Sequence, residues 1–367
     1  MAKYRKYLEF TALLLLAVAI IWWFGRRLDW EQVKIAIKRS DWRLIALAGV
    51  VIALAYLVRA ARWQALLAPL TPARLSQIWI ATTVGFGAVL LFGRAGEVVR
   101  PVVLPMRDRR VRPAASFVTI MVERLYDSIT VGSIFALNLL WFQPSNMPPA
   151  DLRFMREVGA FFMIGLCLAV LGLMWFRRRS RGVIAWLEHR FASWPRVPDR
   201  LKRAVISVLD QLAGALGVLS NARELGITVG WSLLLWFSVV GANLLVLRAF
   251  GLQFGVTHAL FILGWSMLGS SIPTPGGAAG AFHAVTAAAL VLLGVVREQA
   301  AAVSIVLHLI DFGPAALFGL FYFLRGDVNL ARLRELVSTS AVEHAVEDEG
   351  VVPSTRSQKV EIAAAGE

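Results

Sequence analysis

Long apolar runs separated by short polar stretches dominate the pattern along the chain. A membrane-spanning helix needs about 20 apolar residues, and several runs approach or exceed that length. The pattern therefore predicts an all-α, polytopic integral membrane protein with about six to eight spans. The apolar runs fall at about 8–24, 44–58, 77–92, 115–141, 158–176, 228–249, 256–270, 277–295 and 300–324.

Glycine and proline interrupt the apolar pattern once in each half of the chain. The first interruption contains Gly93, Gly96 and Pro101, and the second is the string Ser-Ser-Ile-Pro-Thr-Pro-Gly-Gly at 270–277. Broken backbone at membrane depth is tolerated only where protein or a wet cavity satisfies its polar groups. Such a pair of broken or re-entrant segments is typical of transporters with inverted internal repeats. Two tight helical hairpins without a function are the alternative interpretation.

The expected domain organisation is a transmembrane domain over 1–325 and a disordered cytoplasmic tail over 326–367, where the apolar pattern ends. Residues 177–226 open with a basic run and continue with apolar residues at helical spacing. They are expected to form an insert of one or two amphipathic helices on the cytoplasmic side. Six crossings with two re-entrant pairs would put both termini inside, the topology we favour, although the six Lys and Arg of 26–43 would then lie outside. If 77–92 spans the membrane fully, that loop lies inside and the N-terminus lies outside.

Two shorter segments lie near the N-terminus. Residues 8–24 resemble a signal peptide but lack a small-residue cleavage site, so we expect an uncleaved first helix. Residues 29–39 place Trp30, Val33 and Ile37 on one helical face with charges elsewhere, which predicts a short interfacial helix.

Composition agrees with a membrane protein, because 58% of the residues are hydrophobic and only 17% are charged. The net charge of +14 would also suit nucleic-acid binding, but the Arg and Lys residues cluster at the ends of apolar runs, where they set topology. We therefore expect a multi-pass protein of the bacterial cytoplasmic membrane and no nucleic-acid partner. The single cysteine, Cys167, excludes disulfides within the chain and Cys-ligated metal clusters.

Charged residues inside an apolar run cost about 2.5–3.5 kcal/mol each on insertion scales, so each needs an explanation. Glu123 and Asp127 lie four residues apart in the run 115–141 and share a helix face. Arg124 is adjacent to Glu123 in sequence, so we expect its partner on another helix. The group is either a buried structural ion pair or the wall of a polar cavity that holds a charged headgroup.

A second charged group, Arg94, Glu97 and Arg100, surrounds the first interruption. The planar guanidinium offers two parallel donors to a phosphate, and the neighbouring glycines let backbone N–H groups approach the same anion. Three charges within seven residues at a helix break indicate a candidate anion site.

The third group is His283 with His308 and Asp311. His308 and Asp311 are three residues apart and lie on one helix face. Two histidines and an aspartate could ligate a metal, but hydrogen bonding between helices or a proton relay is the interpretation we favour. We expect no metal and no cofactor.

Several enzyme signatures are missing from the sequence: Gly-x-Ser-x-Gly, a Walker P-loop, Cys-x-x-Cys and His-Glu-x-x-His. No long extramembrane segment could form a nucleotide-binding domain. We therefore expect a protein that is not an enzyme and does not hydrolyse ATP.

Several strings together resemble the flippase-like transmembrane domain of the lysylphosphatidylglycerol synthases over about residues 8–325. They are Gly93-Arg-Ala-Gly-Glu-Val-Val-Arg100, Val122-Glu-Arg-Leu-Tyr-Asp127, Ile272-Pro-Thr-Pro-Gly-Gly-Ala-Ala-Gly280, Arg59-x-x-Arg62-Trp63 and Gly294-Val295. The resemblance is to stand-alone members that lack the aminoacyl-transferase domain. It implies binding or movement of an aminoacylated phospholipid, a polyprenyl-linked sugar or a hopanoid.

The sequence departs from that family's pattern at two positions. Relatives usually carry an acidic residue where His283 stands, and often an arginine near His308. If the two positions face each other, a charge pair has been exchanged for a histidine pair. The site would then be milder in charge, which favours a less charged cargo such as a hopanoid.

The sequence as a whole predicts a membrane protein that binds and translocates a lipid. The expected partner is that lipid, and a separate lipid-modifying enzyme is a second candidate partner. The alternatives are a membrane-embedded transferase with Glu123 or Asp127 as general base, and a non-transporting partner of a separate synthase. The predicted headgroup-binding residues are Arg94, Glu97, Arg100, Glu123, Arg124, Asp127, Pro273, Pro275, Gly276, Gly277, Gly280, His283, His308 and Asp311.

Overall fold

The structure is a computed structural model. It describes residues 19–20, 22–26, 28–68, 70–142, 149–194, 222–272 and 275–325, with isolated positions at 202, 205, 206, 209 and 213. Within these ranges it does not describe the side chains of 91–95, 113–114, 149, 151–152, 155, 192, 222–225 and 275–277. The predicted tail, most of the run 8–24, and most of 195–221 lie outside the described residues.

The described residues are α-helical and contain no strand, which confirms the predicted fold class. The helices are α1 (Trp30–Arg39), α2 (Trp42–Leu67), α3 (Leu75–Phe92), α4 (Val99–Arg107), α5 (Pro113–Trp141), α6 (Pro149–Ala192), α7 (Ala222–Ala249), α8 (Val256–Ser270), α9 (Pro275–Leu292) and α10 (Arg297–Leu324). A 3-10 helix, Gly93–Val98, joins α3 to α4.

Four helical segments among the described residues are long and apolar enough to cross a membrane: Trp42–Leu67, Arg156–Phe191, Gly226–Ala249 and Arg297–Leu324. Helix α5 has 29 residues and is equally long, but it carries three charged residues in its middle. Shorter apolar helices at Leu75–Leu90, Val256–Ser270 and Ala278–Leu292 complete the apolar part. The protein is therefore a polytopic membrane protein.

Two aspartates begin the first helices. The Asp29 carboxylate accepts hydrogen bonds from the backbone N–H groups of Glu31 (3.0 Å) and Gln32 (3.2 Å), which satisfies donors that the first helical turn leaves unpaired. Asp41 begins α2 in the same way. The helix predicted at 29–39 is present as α1, and Val33 is buried beneath it, whereas Trp30 is exposed.

Helix packing repeats itself between the two halves of the chain. If α2 to α5 are matched in order with α7 to α10, contacts within the first half correspond to contacts within the second. Thus α3 packs on α4 as α8 packs on α9, and α4 packs on α5 as α9 packs on α10. Helices α2 and α7 pack against each other at the centre. This pattern is the one expected of an internal repeat.

The two predicted interruptions are breaks in helical structure. Helix α8 ends at Ser270 and α9 begins at Pro275, the position at which a proline costs a helix least. Ala278, near this break, has a φ of 63°, in the left-handed region. In the first half, Gly96 in the 3-10 helix lies against the backbone of Ala88 so closely that a Cβ would collide with it.

The polar stretch predicted to begin a separate insert at 177 instead begins inside α6. This helix has 44 residues, or about 66 Å at 1.5 Å per residue, which is longer than a bilayer core of about 30 Å. Arginine is a good helix former, and the sequence offers no proline between Pro149 and Pro195 to end the helix. The apolar run 158–176 and the basic run after it are therefore one continuous element.

Candidate functional site

Six charged side chains meet between α2, α4 and α5, and we call them the charge cluster. Spacing on each helix brings them there: two are three residues apart on α2, and the carboxylates are four residues apart on α5, so each pair shares one helix face. The members are Arg59, Arg62, Arg100, Glu123, Arg124 and Asp127.

Glu123 is the common acceptor of the charge cluster and is fully buried. Its Oε1 atom lies 2.6 Å from Nη1 of Arg100, 3.1 Å from Nη2 of Arg62 and 3.2 Å from Nη2 of Arg124. The expectation that Arg124 finds its partner on another helix is therefore wrong. The long Arg124 side chain folds back, and its Nη2 atom lies near two carboxylates of its own helix, Glu123 at 3.2 Å and Asp127 at 3.9 Å.

Arg62 and Asp127 form a bidentate pair. Nη1 donates to Oδ1 at 2.7 Å and Nη2 donates to Oδ2 at 3.1 Å, in the parallel geometry that makes arginine–carboxylate pairs strong. Helix α7 contributes Ser232, whose hydroxyl accepts from Arg62 at 3.1 Å, and Trp236, whose indole N–H donates to Asp127 at 3.3 Å. The cluster thus ties α2, α5 and α7 together.

Arg100 is positioned by aromatic and glycine neighbours. Its guanidinium lies 4.2 Å from the ring centre of Trp63, a cation–π contact, and Trp63 donates its indole N–H to the Thr119 hydroxyl at 3.0 Å. A Cβ at Gly85 would collide with the Arg100 side chain, so a glycine at this position of α3 makes room for the arginine.

A cavity of about 560 Å³ adjoins the charge cluster. Its ionisable wall consists of Arg59, Arg124, Asp127, Glu97 and Asp311. The rest of the wall is largely apolar and is contributed mainly by eight helices. These residues include Ile52, Ala55, Phe86, Val89, Val131, Phe135, Phe162, Leu235, Trp236, Val239, Met267, Leu268, Ile272, Ala278, Phe282 and Phe312.

Arg59 and Arg124 differ from the two buried arginines of the cluster. Their side chains are 13% and 35% exposed, whereas those of Arg62 and Arg100 are 0% and 4% exposed. Nη1 of Arg59 lies 3.9 Å from Oδ2 of Asp127, beyond hydrogen-bonding distance. Both guanidinium groups therefore present donors to the cavity.

The two histidines, whose meeting the sequence stated only as a condition, do face each other. The ring centres of His283 and His308 are 4.9 Å apart with an interplanar angle of 70°. Phe282 and Phe312, which line the cavity, lie 5.0 and 4.9 Å from the His308 ring. Among the described residues, no group of three or more His, Cys, Asp or Glu side chains is placed to hold a metal.

The structure brings most of the predicted site residues to one region. Arg100, Glu123, Arg124 and Asp127 belong to the charge cluster, Glu97 and Asp311 lie on the cavity wall, and Gly280 lies on α9 between Ala278 and Phe282, which line the cavity. The remaining predictions lie outside the described residues or side chains: Arg94, Pro273, Pro275, Gly276 and Gly277.

Sequence reasoning did not place Arg59, Arg62, Tyr56, Phe86 and Trp236 at the site. The two arginines follow an apolar run that ends near 58, and only the continuation of α2 to Leu67 places them inside the protein, with Arg62 buried and Arg59 13% exposed. Phe86, which lies 4.6 Å from the Arg59 guanidinium, stands between two glycines. Nothing in the sequence distinguishes Tyr56 or Trp236 from ordinary packing residues.

Comparison with known proteins gives one family and two distant relatives. The family described as the lysylphosphatidylglycerol synthase TM region matches residues 10–319. The chain is 23% identical to a protein named Glycosyltransferase AglD from Haloferax volcanii, over 91% of this chain and 56% of that protein. It is 22% identical to a UPF0104 membrane protein from Methanothermobacter thermautotrophicus, over 88% of this chain and 94% of that protein. The chain thus spans little more than half of the first relative.

Proposed function

We propose, from the premise that this chain belongs to the family of the lysylphosphatidylglycerol synthase transmembrane region, that it binds a membrane lipid by an anionic headgroup and moves it across the cytoplasmic membrane without ATP hydrolysis. The family match confirms the resemblance carried by the sequence motifs. The observation that carries the proposal is the cavity beside the charge cluster, with Arg59 and Arg124 on its wall.

The charge balance of the cluster favours an anion. Four arginines face the two carboxylates of Glu123 and Asp127 in a mostly apolar environment. Arg62 and Arg100 are enclosed and pair with these carboxylates, so they stabilise the helices more than they bind. Arg59 and Arg124 keep donors toward the cavity, and a phosphate can accept two parallel hydrogen bonds from each guanidinium.

The size of the cavity suits a headgroup and not a whole lipid. Its volume of about 560 Å³ lies in the range of small-ligand sites. Phe162 of α6 and Leu268 of α8 line it and are 47% and 44% exposed, so the wall opens between these helices. Acyl chains would leave through this opening into the bilayer. Through this opening a lipid can place its headgroup in the cavity from the side, while its acyl chains stay in the bilayer and do not cross a polar region.

The cargo favoured by this wall is a phospholipid or a polyprenyl phosphate. The facing histidines meet the condition under which the sequence favoured a milder site and a hopanoid, but two arginines on the wall favour a phosphate over an uncharged hopanoid. The transferase alternative needs a free general base, whereas Glu123 and Asp127 are both engaged by arginines. We therefore propose transport rather than catalysis.

Reconstitution in liposomes tests the proposal. The full chain is inserted into vesicles containing a fluorescent phosphatidylglycerol, and bleaching of the outer leaflet by a membrane-impermeant reductant reports exchange between leaflets. Arg124→Gln should slow exchange by about tenfold to a hundredfold, the worth of a charge-assisted hydrogen bond. Arg110→Gln is the matched control, because Arg110 pairs with Asp108 in the loop between α4 and α5.

Three results would contradict the transport proposal. Exchange by the wild type at the rate of empty vesicles would exclude movement of this lipid. Equal rates for Arg124→Gln and the wild type would remove the arginine from the site. A lipid product of changed mass would favour the transferase.

A further inference from the structure

Outside the charge cluster, one carboxylate lines the cavity, and two imidazoles pack against phenyl rings of the cavity wall. Asp311 of α10 lines the cavity and takes part in none of the cluster's ion pairs. His308 lies one turn earlier on the same face of α10, is 6% exposed, and faces His283 of α9 at 4.9 Å between ring centres. Three titratable side chains thus lead from the cavity wall into the packing between α9 and α10.

Tyr56 joins the backbone of Asp311 to α2, the helix that carries Arg59. The Tyr56 hydroxyl donates to the backbone carbonyl of Asp311 at 2.8 Å, which joins α2 to α10 at this depth. Arg59, three residues further along α2, has its guanidinium 5.8 Å from the Tyr56 ring centre. Arg59 and Asp311 both line the cavity, so their opposite charges attract each other across it.

The other ionisable groups on this wall are few. Helix α5 contributes Arg124 and Asp127, and the 3-10 helix contributes Glu97. The described wall residues of α3, α7, α8 and α9 include no carboxylate, amine or imidazole. The protonation state of Asp311 therefore depends on these groups, on Tyr56 and Arg59 from α2, on the histidine pair, and on any anion that occupies the cavity.

An anionic headgroup on the two arginines of the wall would change this balance. It would neutralise Arg59 and bring a second negative charge near Asp311, and like charges at short range disfavour the ionised carboxylate. Proton binding would relieve that repulsion. Because coupling between two ligands is reciprocal, the proton would strengthen headgroup binding by the same factor that the headgroup strengthens proton binding.

We propose that Asp311, with His308 and His283 behind it, binds a proton together with the anionic headgroup, so that lipid and proton cross the membrane in the same direction. This inference rests on the proposed lipid transport. A carboxylate oxygen of Asp311 takes a proton from a hydronium ion in the cavity, so that one O–H bond of the hydronium breaks, one forms on the carboxyl group, and a water molecule is left. On release the carboxyl O–H bond breaks, and the proton passes to an imidazole nitrogen of the histidine pair or returns to water.

The test uses full-length protein in liposomes containing fluorescent phosphatidylglycerol, with the membrane potential held at zero by potassium and valinomycin. A pH difference of one unit is imposed. One proton per lipid predicts that the leaflet ratio of the lipid at equilibrium changes by about tenfold for that gradient.

Matched variants assign the coupling to particular side chains. Asp311→Asn should still exchange lipid but leave the leaflet ratio at its value without a gradient. Asp311→Glu keeps a titratable carboxylate and should retain a response, and Asp108→Asn, outside the cavity, should behave as the wild type. His308→Gln should slow the approach to the final ratio, whereas His258→Gln, whose ring stacks on Phe254 away from the pair, should not.

Outcomes for the coupling and for the transport itself are distinguishable. If the wild type exchanges lipid but its leaflet ratio ignores the gradient, or if Asp311→Asn keeps the tenfold response, the proton site is overturned and lipid transport stands. If His308→Gln approaches the ratio at the wild-type rate, the histidines are removed from the inference. If no lipid crosses in the wild type, the proposed function fails first.

Discussion

Replacing Glu123 by Gln removes the charge on which three arginines of the charge cluster converge. The carboxylate is fully buried, and its Oε1 atom lies within 3.2 Å of nitrogens from Arg62, Arg100 and Arg124. Breaking a buried ion pair by removing one partner costs about 3–5 kcal/mol, because the remaining charge stays buried without compensation. Glutamine keeps the volume and one carbonyl oxygen, so the loss reflects charge and not a cavity.

The matched control is Glu31→Gln on α1. Glu31 forms an exposed pair with Lys34 at 3.4 Å, and such pairs contribute about 0.3–0.5 kcal/mol. Thermal unfolding in detergent, followed by tryptophan fluorescence, should show a much larger fall in melting temperature for Glu123→Gln than for Glu31→Gln. Equal shifts in the two variants would refute the conclusion that Glu123 holds the cluster together.

A double variant separates charge repulsion from general damage. In Glu123→Gln, the buried Arg100 has lost the negative charge that lies 2.6 Å from its Nη1 atom. Adding Arg100→Gln to that background should therefore cost less than Arg100→Gln alone, because it removes an uncompensated charge. Additive losses would show that the two side chains do not act as a pair.

Three further predictions follow from local geometry. Gly264→Ala should destabilise the protein by about 1–3 kcal/mol in thermal unfolding, because a Cβ there would overlap a packed phenyl ring, whereas Gly241→Ala, in open space, should not. Ala278→Gly should leave the free energy of unfolding unchanged or raise it by up to about 1 kcal/mol, since glycine adopts a φ of 63° without strain. A clear loss of stability in thermal unfolding would show that the Ala278 backbone is not strained. Hydrogen bonding from Arg110 lowers the pKa of Asp108 to about 2, so this pair stabilises the fold above the ordinary aspartate pKa of about 3.9 and stops doing so as the pH falls through about 2. Arg110→Gln should move acid unfolding, followed by tryptophan fluorescence, to higher pH, and an unchanged midpoint would contradict this.

The sequence identified the site residues whose charge is costly to bury in a membrane-spanning helix. Glu123 and Asp127 lie in the middle of an apolar run, so their burial implied a partner before any packing was known. Arg59 and Arg62 carry the same cost, but they follow an apolar run that ends near 58, where arginines normally flank a span. Only the continuation of α2 to Leu67 shows that they are inside the protein.

Other features depend on packing between distant segments and have no local signal. The meeting of His283 and His308 depends on the register of α9 against α10, and the sequence could state it only as a condition. Trp236 contacts Asp127 across 109 positions, and a tryptophan in an apolar helix is usually a packing or interfacial residue. The sequence did not predict the continuity of α6, because a basic run marks the end of a membrane span but does not show whether the helix itself ends there.

Binding of an anionic lipid at Arg59 and Arg124 is the central claim, and calorimetric titration of the detergent-solubilised protein with a short-chain, water-soluble phosphatidylglycerol tests it most directly. The wild type and Arg110→Gln should bind with the same affinity. Arg59→Gln and Arg124→Gln should each weaken binding by about tenfold to a hundredfold, because each removes a charge-assisted contact with the phosphate. A variant that carries both Arg59→Gln and Arg124→Gln, unfolds at the wild-type temperature and still binds with the wild-type affinity would contradict the account.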